Sequence, residues 1–431
     1  MTSRTIKVDY LARVEGEGAL QVKLRGNRVE DVRLKIFEPP RMFEGFLRGR
    51  RYTEAPDITA RICGICPVAY QMSAVHAMER ILGIAIHPQV RALRRLFYCG
   101  EWIESHVLHI YMLHAPDFLG YPDAIKMAAD HKDAVERALR LKRIGNRLVA
   151  LLGGREIHPV SACVGGFHRV PAKAELRALE DDLKWALDAA IATAKLVAGF
   201  EFPDFEQDYE FASLSHPGEY PFNEGRFVTS DGIDIDVSEF EDNFIEQHVK
   251  HSNALQAQKR RGGSYLVGPL ARYNLNFGKL PGVARQVALE CGIEPPCRNQ
   301  FRSIVVRAVE TIFACDEALR IIAEYERPPE PFASAPVRPG AGHAITEAPR
   351  GSLYHRYEID AAGLIKSARI VPPTSQNQKR AEEDLWALIP GIISKPQHEI
   401  THICEQAVRN YDPCISCATH FLKLNVSGPG A

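Results

Sequence analysis

Between residues 5 and 36, apolar and polar positions alternate along three runs: Thr5 to Asp9, Ala19 to Leu24 and Val32 to Ile36. A period of two puts every second side chain on one face, so these runs predict strands, with Gly16, Gly18, Gly26 and Asn27 marking the turns. The period then lengthens to that of a helix. Pro67 suits a first helical position, and the helix it opens carries Met72, Val75, Ile81 and Leu82 before stopping at Gly83. Helical patterns also span about 88–114, 121–152 and 171–199, the last with Leu176, Leu179, Leu183, Ala186, Leu187 and Ala190 on one face.

The second half is mixed. A turn between short strands is expected within 227–237, a helix from Phe240 to about Leu255, and helix again over 281–325. Residues 327–340 are rich in proline and small side chains, as in a linker or a surface loop. Asp360-Ala-Ala-Gly363 sits between two strand-like runs, one near Leu353 and one near Ile365, which reads as a hairpin. A last helix is expected over about 380–410. The predicted fold class is α+β and helix-dominated, with strands at about 5–36, a helical core at about 60–200 and a mixed region at about 201–420.

Composition narrows the function classes. A 431-residue chain that is 45% hydrophobic and 25% charged is globular in character, and a net charge of −1 gives nucleic acid or an anionic membrane nothing to recognise. No run reaches the roughly 18 apolar residues that a bilayer span requires. The N-terminal residues lack the apolar core of an export signal, so the expected location is the cytoplasm.

Ten cysteines are too sparse for a disulfide scaffold. Cys99, Cys163, Cys291, Cys297, Cys315 and Cys404 are dispersed and read as buried small apolar side chains. The other four form two C-x-x-C pairs, Cys63/Cys66 and Cys414/Cys417. Four thiolates suit zinc, an iron–sulfur cluster, nickel or Cu(I). Structural zinc sites usually keep their pairs about 15–20 residues apart, and a redox pair belongs beside a βαβ unit. Spacing alone leaves zinc, a redox disulfide and a catalytic metal all open. If the pairs share one site, the two ends of the chain must meet in one interdependent unit over 1–420.

The flanking residues carry more information. Arg61-Ile-Cys-Gly-Ile-Cys-Pro67 and Asp412-Pro-Cys-Ile-Ser-Cys-Ala-Thr-His420 resemble the two signatures of nickel–iron hydrogenase large subunits. Arg13-Val-Glu-Gly16, Gly153-Gly-Arg-Glu-Ile-His-Pro159, Val164-Gly-Gly-Phe167, Gly268-Pro-Leu-Ala-Arg272 and Glu347-Ala-Pro-Arg-Gly351 are similar to further segments of that family, in family order over nearly the whole chain.

The resemblance implies the large-subunit fold and reversible cleavage of H2. All four thiolates would bind nickel, with Cys66 and Cys417 bridging to an iron that carries CO and cyanide, and Cys63 and Cys414 terminal. Glu15 would pass a proton from Cys414 toward the surface, with Glu17 as a nearby decoy. Arg350 would stand over the open coordination site, oriented by Asp412, and Pro349 and Thr374 would line the pocket for the diatomic ligands. His420, with Glu44 as carboxylate, would hold a Mg²⁺ (or iron) near the C-terminus.

Implied partners are a small subunit bearing Fe–S clusters, flavin and NAD(P)-binding subunits, maturation proteins and an endopeptidase that removes residues 421–431 as a maturation extension. The compact length, the Arg61-Ile-Cys-Gly-Ile-Cys-Pro-Val68 version of the first motif and the lack of an export signal look like the cytoplasmic bidirectional group; a coenzyme F420-linked enzyme is the alternative acceptor class. A non-catalytic relative in respiratory complex I is a further alternative, but it normally lacks the four cysteines. A zinc-stabilised structural protein is the third.

Two positions depart from the common pattern. Tyr70 stands where many relatives have a histidine four residues after the second cysteine, and Ser105, beside Glu104, replaces an aspartate before His106. His106, His109 and His114 look like packed residues, because the helix lacks the third ligand and the glutamate of helix-borne zinc sites.

Overall fold

The computed structural model describes residues 3–420. The maturation extension expected over 421–431 lies outside the described residues. The architecture is mixed and helix-dominated, in agreement with the predicted α+β class.

The N-terminal alternation produces an antiparallel meander of Ser3–Val8, Gly18–Arg25 and Arg28–Ile36. Its inward face, Ile6, Leu20, Val22, Leu24, Leu34 and Ile36, is buried. Helix Pro373–Ile392 lies against this sheet, and Glu382 accepts a hydrogen bond from Leu34 N at 2.8 Å. The sheet therefore joins the C-terminal half of the chain directly.

The helical core consists of Pro67–Leu82, Pro88–Leu108, Lys132–Gly153, Glu180–Ala198 and Ser303–Glu324. Pro88–Leu108 packs on both Lys132–Gly153 and Ser303–Glu324. The first of these contacts is close enough to require glycine, because a Cβ on Gly145 would lie 2.7 Å from the Gly100 carbonyl oxygen. One hydrophobic cluster runs from Ile6 to Ala418. A smaller aromatic one gathers Phe227, Phe240, Phe244, Tyr265 and Tyr354.

Several expected helices are divided. The pattern over 121–152 breaks into Ala124–Met127 and Lys132–Gly153, with Asp123 capping Lys126 N. That over 171–199 breaks between Lys173–Arg177 and Glu180–Ala198, and that over 281–325 between Gly282–Glu290 and Ser303–Glu324. The last expected helix is two, Pro373–Ile392 and Gln397–Arg409, separated just before Pro396. The helix expected over 88–114 widens to a π turn at His109–His114, ahead of Pro116, which has no N–H to continue the α ladder.

Residues 240–255 are corrected most. Only Phe240–Asn243 is helical; Phe244–Gln247 then pairs antiparallel with Gln256–Lys259. The aromatic cluster explains this: Phe240 stacks on Tyr354 with centroids 4.4 Å apart while Phe244 packs on Tyr265 at 4.8 Å. The expected hairpin is present as Gly351–Ile359 and Ile365–Val371, and Gly340–Ala348 adds an unexpected third strand. The linker-like stretch is tied down at Ala333, whose N–H donates to the Gly165 carbonyl at 3.0 Å. Gly165 has φ 93°, and a Cβ there would lie 1.8 Å from the Ala333 oxygen.

Candidate metal centre

The two C-x-x-C pairs meet. Among the described residues the sulfurs of Cys63, Cys66, Cys414 and Cys417 all lie within 4.8 Å of one another, fully buried. Cys63 Sγ is 3.5 Å from Cys414 Sγ, and Cys414 Sγ is 2.9 Å from Cys417 Sγ, with no disulfide formed.

Local structure aims each pair. Cys66 is the N-cap of Pro67–Leu82, so Cys63 and Cys66 occupy the turn before the helix. Cys63 Sγ accepts from the Ile65 and Cys66 amides at 3.3 Å each. The free amides of Val68 and Ala69 donate to Glu101 at 2.6 and 3.2 Å, which anchors the helix start. Burial pushes the Glu101 pKa well above the usual carboxylate range, with nearby Glu104 adding to this and the two amides opposing it. Cys414 caps the short helix Ile415–Ala418, and Asp412 reaches it with φ 49°.

The N-terminal motif closes over the C-terminal one. Ile415 N donates to the Glu15 carbonyl at 2.9 Å, so Glu15 and Cys414 form a parallel β-bridge. Glu15 Oε2 accepts from Ser416 N at 3.0 Å and from Cys414 Sγ at 3.1 Å. Gly16 has φ 89°, and a Cβ on it would stand 2.7 Å from the Ile415 Cβ, which accounts for the glycine after Glu15. Glu17 is exposed and its amide turns to Glu38; it takes no part.

Arg350 is buried beside the sulfurs. Its Nε donates to the Asp412 carbonyl at 2.8 Å and its Nη2 to Asp412 Oδ1 at 3.1 Å. Burial disfavours the guanidinium charge, but Asp412 and the sulfurs of Cys414, Cys66 and Cys63 more than offset it. Arg272 fixes the loop behind, donating to the carbonyls of Ala348 at 2.8 Å and Pro349 at 2.9 Å. A Cβ on Gly268 would lie 2.7 Å from the Arg350 carbonyl oxygen, so the Gly268–Arg272 and Glu347–Gly351 motifs are one packed unit. Thr374 Oγ1 accepts from Cys414 N at 3.0 Å and keeps its own proton to donate.

Around the sulfurs, Arg350 Nη1, Asp412 Oδ2 and Tyr70 OH are buried without a hydrogen-bond partner. Buried polar atoms are normally paired, so three orphans beside four thiols fit a further group bound among them. The electrostatics agree. Hydrogen bonds from the other three thiols hold Cys63 well below the usual thiol pKa, while Cys66 and Cys414 are pushed well above it and Cys417 is raised by burial. Four thiolates need a cation to share the space.

A second convergence lies next to Cys417. His420 Nε2 is 2.8 Å from the Ile370 carbonyl oxygen and 3.9 Å from Glu44 Oε1, and His420 Nδ1 meets the Cys417 carbonyl. Glu44 also accepts from Ile370 N at 2.8 Å. One carboxylate and one carbonyl thus lie within 4 Å of one imidazole, and oxygen donors of this kind suit a hard divalent cation.

The three histidines are packed residues, as expected. His106 Nε2 is 3.0 Å from Glu310, and His109 Nε2 is 2.8 Å from the Arg409 carbonyl. Pattern reading missed Arg41, whose Nη2 donates to the Ile62 carbonyl at 2.6 Å and also reaches the Ser416 carbonyl, fastening both cysteine loops. It also missed Glu101. Neither stands out in the sequence, because each acts on backbone atoms of distant segments.

The family described as "Nickel-dependent hydrogenase" matches residues 41–139 and 297–420. The chain is 31% identical over 423 residues to "Sulfhydrogenase 1 subunit alpha" of Pyrococcus furiosus, covering 97% of this chain and 98% of that one. It is 27% identical to "NAD-reducing hydrogenase HoxS subunit beta" of Cupriavidus necator, covering 97% and 95%. A crystal structure of an NAD+-reducing [NiFe]-hydrogenase in the H2-reduced state superposes with a TM-score of 0.87 at 26% identity, covering 97% of this chain and 99% of that one. The chain belongs to the nickel-dependent hydrogenase family, as a catalytic large subunit.

Proposed function

We propose that this subunit cleaves H2 reversibly and heterolytically into protons and electrons at a nickel–iron centre held by Cys63, Cys66, Cys414 and Cys417. The observation that carries the reading is a proton acceptor in contact with the quartet: Glu15 Oε2, 3.1 Å from Cys414 Sγ. All four sulfurs would hold the metals, with Cys66 and Cys417 in the bridging role and Cys63 and Cys414 in the terminal one that the resemblance implies. When bound, the pair of metals, its iron bearing CO and cyanide, supplies the redox couple and polarises H2.

The protein's own residues then handle the proton. Cys414 Sγ takes it and Glu15 accepts it from Cys414 toward the surface, while Arg350, a guanidinium throughout, polarises H2 from its free Nη1. Asp412 holds Arg350 in place through two hydrogen bonds. Pro349 and Thr374 line the pocket for the diatomic ligands, where the Thr374 hydroxyl proton is available to a cyanide nitrogen. Glu44, His420 and the Ile370 carbonyl are assigned to a Mg²⁺ (or iron) ion.

Residues 1–420 act as one interdependent unit, since Arg409 donates to the Ala12 carbonyl and Glu15 pairs with Cys414 across the length of the chain. Electrons pass to a small subunit bearing Fe–S clusters and on to NAD(P) through flavin subunits, in the cytoplasm; the names of the NAD-reducing relatives support this acceptor. Maturation proteins insert the metals, and an endopeptidase cuts after His420. The assembled complex should reduce NAD(P)+ under H2. H2 uptake supported by artificial dyes but never by NAD(P)+ would contradict the acceptor.

A further inference from the structure

Arg13 stands two residues before Glu15 and reaches the segment that follows the π turn. Its Nη1 donates to the Leu113 carbonyl at 2.9 Å, and its Nη2 donates to Asp117 Oδ1. Its backbone has φ 58°, a left-handed conformation that a residue with a Cβ keeps only where its surroundings hold it.

Asp117, in the short helix Ala115–Leu119, is shared. Arg409, five residues before Cys414, donates to the same carboxylate through Nε at 2.7 Å and Nη2 at 2.8 Å. Its Nη1 reaches the Ala12 carbonyl at 3.1 Å, and its own carbonyl lies 2.8 Å from His109 Nε2. The Asp117 side chain is fully buried. Burial favours its neutral form, but Arg409, with Arg13 beside it, outweighs that and keeps the carboxylate ionised.

Glu15 and Cys414 meet through an isolated β-bridge, between segments that belong to no sheet. One carboxylate thus ties down both segments, upstream of each partner. We infer that Asp117 is a positioning residue: through Arg13 and Arg409 it sets the register of the two segments, and so the 3.1 Å separation over which the Cys414 proton passes to Glu15. The inference rests on the proton reading of Glu15 and deepens it. A misplacement of about 1 Å can cost about 100-fold in rate, so an anchor outside the quartet governs turnover.

Asp117→Asn takes the carboxylate from buried Arg409, so Arg13→Gln, which keeps that pair, is the sharper probe. In the purified complex, with nickel and iron assayed, Arg13→Gln should speed amide hydrogen exchange at Ile415 and Ser416 and leave helix Pro88–Leu108 as in wild type. H2 uptake should fall about 10–100-fold, with a larger solvent deuterium isotope effect. The same change in a Glu15→Gln background should cost nothing further, because the anchor acts through that contact. Unchanged exchange at Ile415 and Ser416, unchanged uptake, or a loss as large in the Glu15→Gln background as in the wild type would overturn the inference. If Arg13→Gln does not load metal, Arg13→Lys, which keeps the charge and loses the fork, decides by the same measurements and the same outcomes. Wild-type uptake in Glu15→Gln alone would instead refute the proton route on which the inference stands.

Discussion

The Glu15 carboxylate lies 3.1 Å from the Cys414 sulfur, although 399 residues separate them in the chain. The contact is held from both sides, by the Ser416 amide on the carboxylate and by the Ile415 amide on the Glu15 carbonyl. Glu15→Gln preserves this shape and its hydrogen bonds to backbone while removing the ability to take a proton. Nickel and iron content should stay at wild-type levels, and H2 uptake should fall about 10²–10⁴-fold. Wild-type H2 uptake in that variant would remove Glu15 from the proton route.

Arg350 donates to Asp412 through two separate nitrogens, a geometry that a lysine ammonium cannot reproduce. Arg350→Lys keeps the charge and loses the fork. Turnover should drop about 100-fold, the scale of misplacing a reacting group by about 1 Å. Normal turnover with the metals loaded would show that charge alone suffices.

Burial depresses His114 to about 3 and His106 to about 4, with the Glu310 contact opposing the effect at His106. Around His114, Asp117 favours the charged form while Arg307, Arg409 and Arg13 oppose it. The unfolded chain protonates histidine near pH ~6.5, so the stability these groups contribute is present above that pH and is lost as pH falls toward 3–4. His114→Phe keeps an aromatic ring against Phe118 and cannot protonate. Its melting temperature should fall less than wild type between pH 7 and pH 5. An identical fall would contradict the assignment.

Glu104 works in the opposite direction. Burial raises it to about 7, even though the Lys142 ammonium sits 2.9 Å away and pulls it down. The folded state holds a proton there that the unfolded chain releases near pH ~4.3, so this contribution is full at low pH and is lost as pH rises through about 7. Glu104→Gln should lose less stability than wild type between pH 5 and pH 8, measured by thermal unfolding. A decline as steep as that of wild type would show that Glu104 is ionised throughout.

The parts of this site that could be read from sequence are those with a local signature. Cys63, Cys66, Cys414 and Cys417 converge as the paired motifs implied, and Glu15, Arg350, Asp412 and Thr374 stand around them. Glu44 and His420 also come together, at 3.9 Å, although their motifs are far apart. What escaped was set by tertiary contact. Arg41 and Glu101 bind backbone amides and carbonyls of other segments, which leaves no trace in spacing. Phe240 and Phe244 fit a helical period, yet the aromatic cluster draws Phe244 into a strand. The long helices were visible in outline, but their breaks depend on local caps such as Asp123 and on prolines such as Pro396.

The central claim is that the four buried sulfurs hold nickel and iron. Metal analysis of the purified complex, combined with infrared spectroscopy, addresses it most directly. The account predicts nickel, iron and stretching bands of CO and cyanide, all lost together in Cys414→Ser. One zinc per chain with no such bands would contradict it.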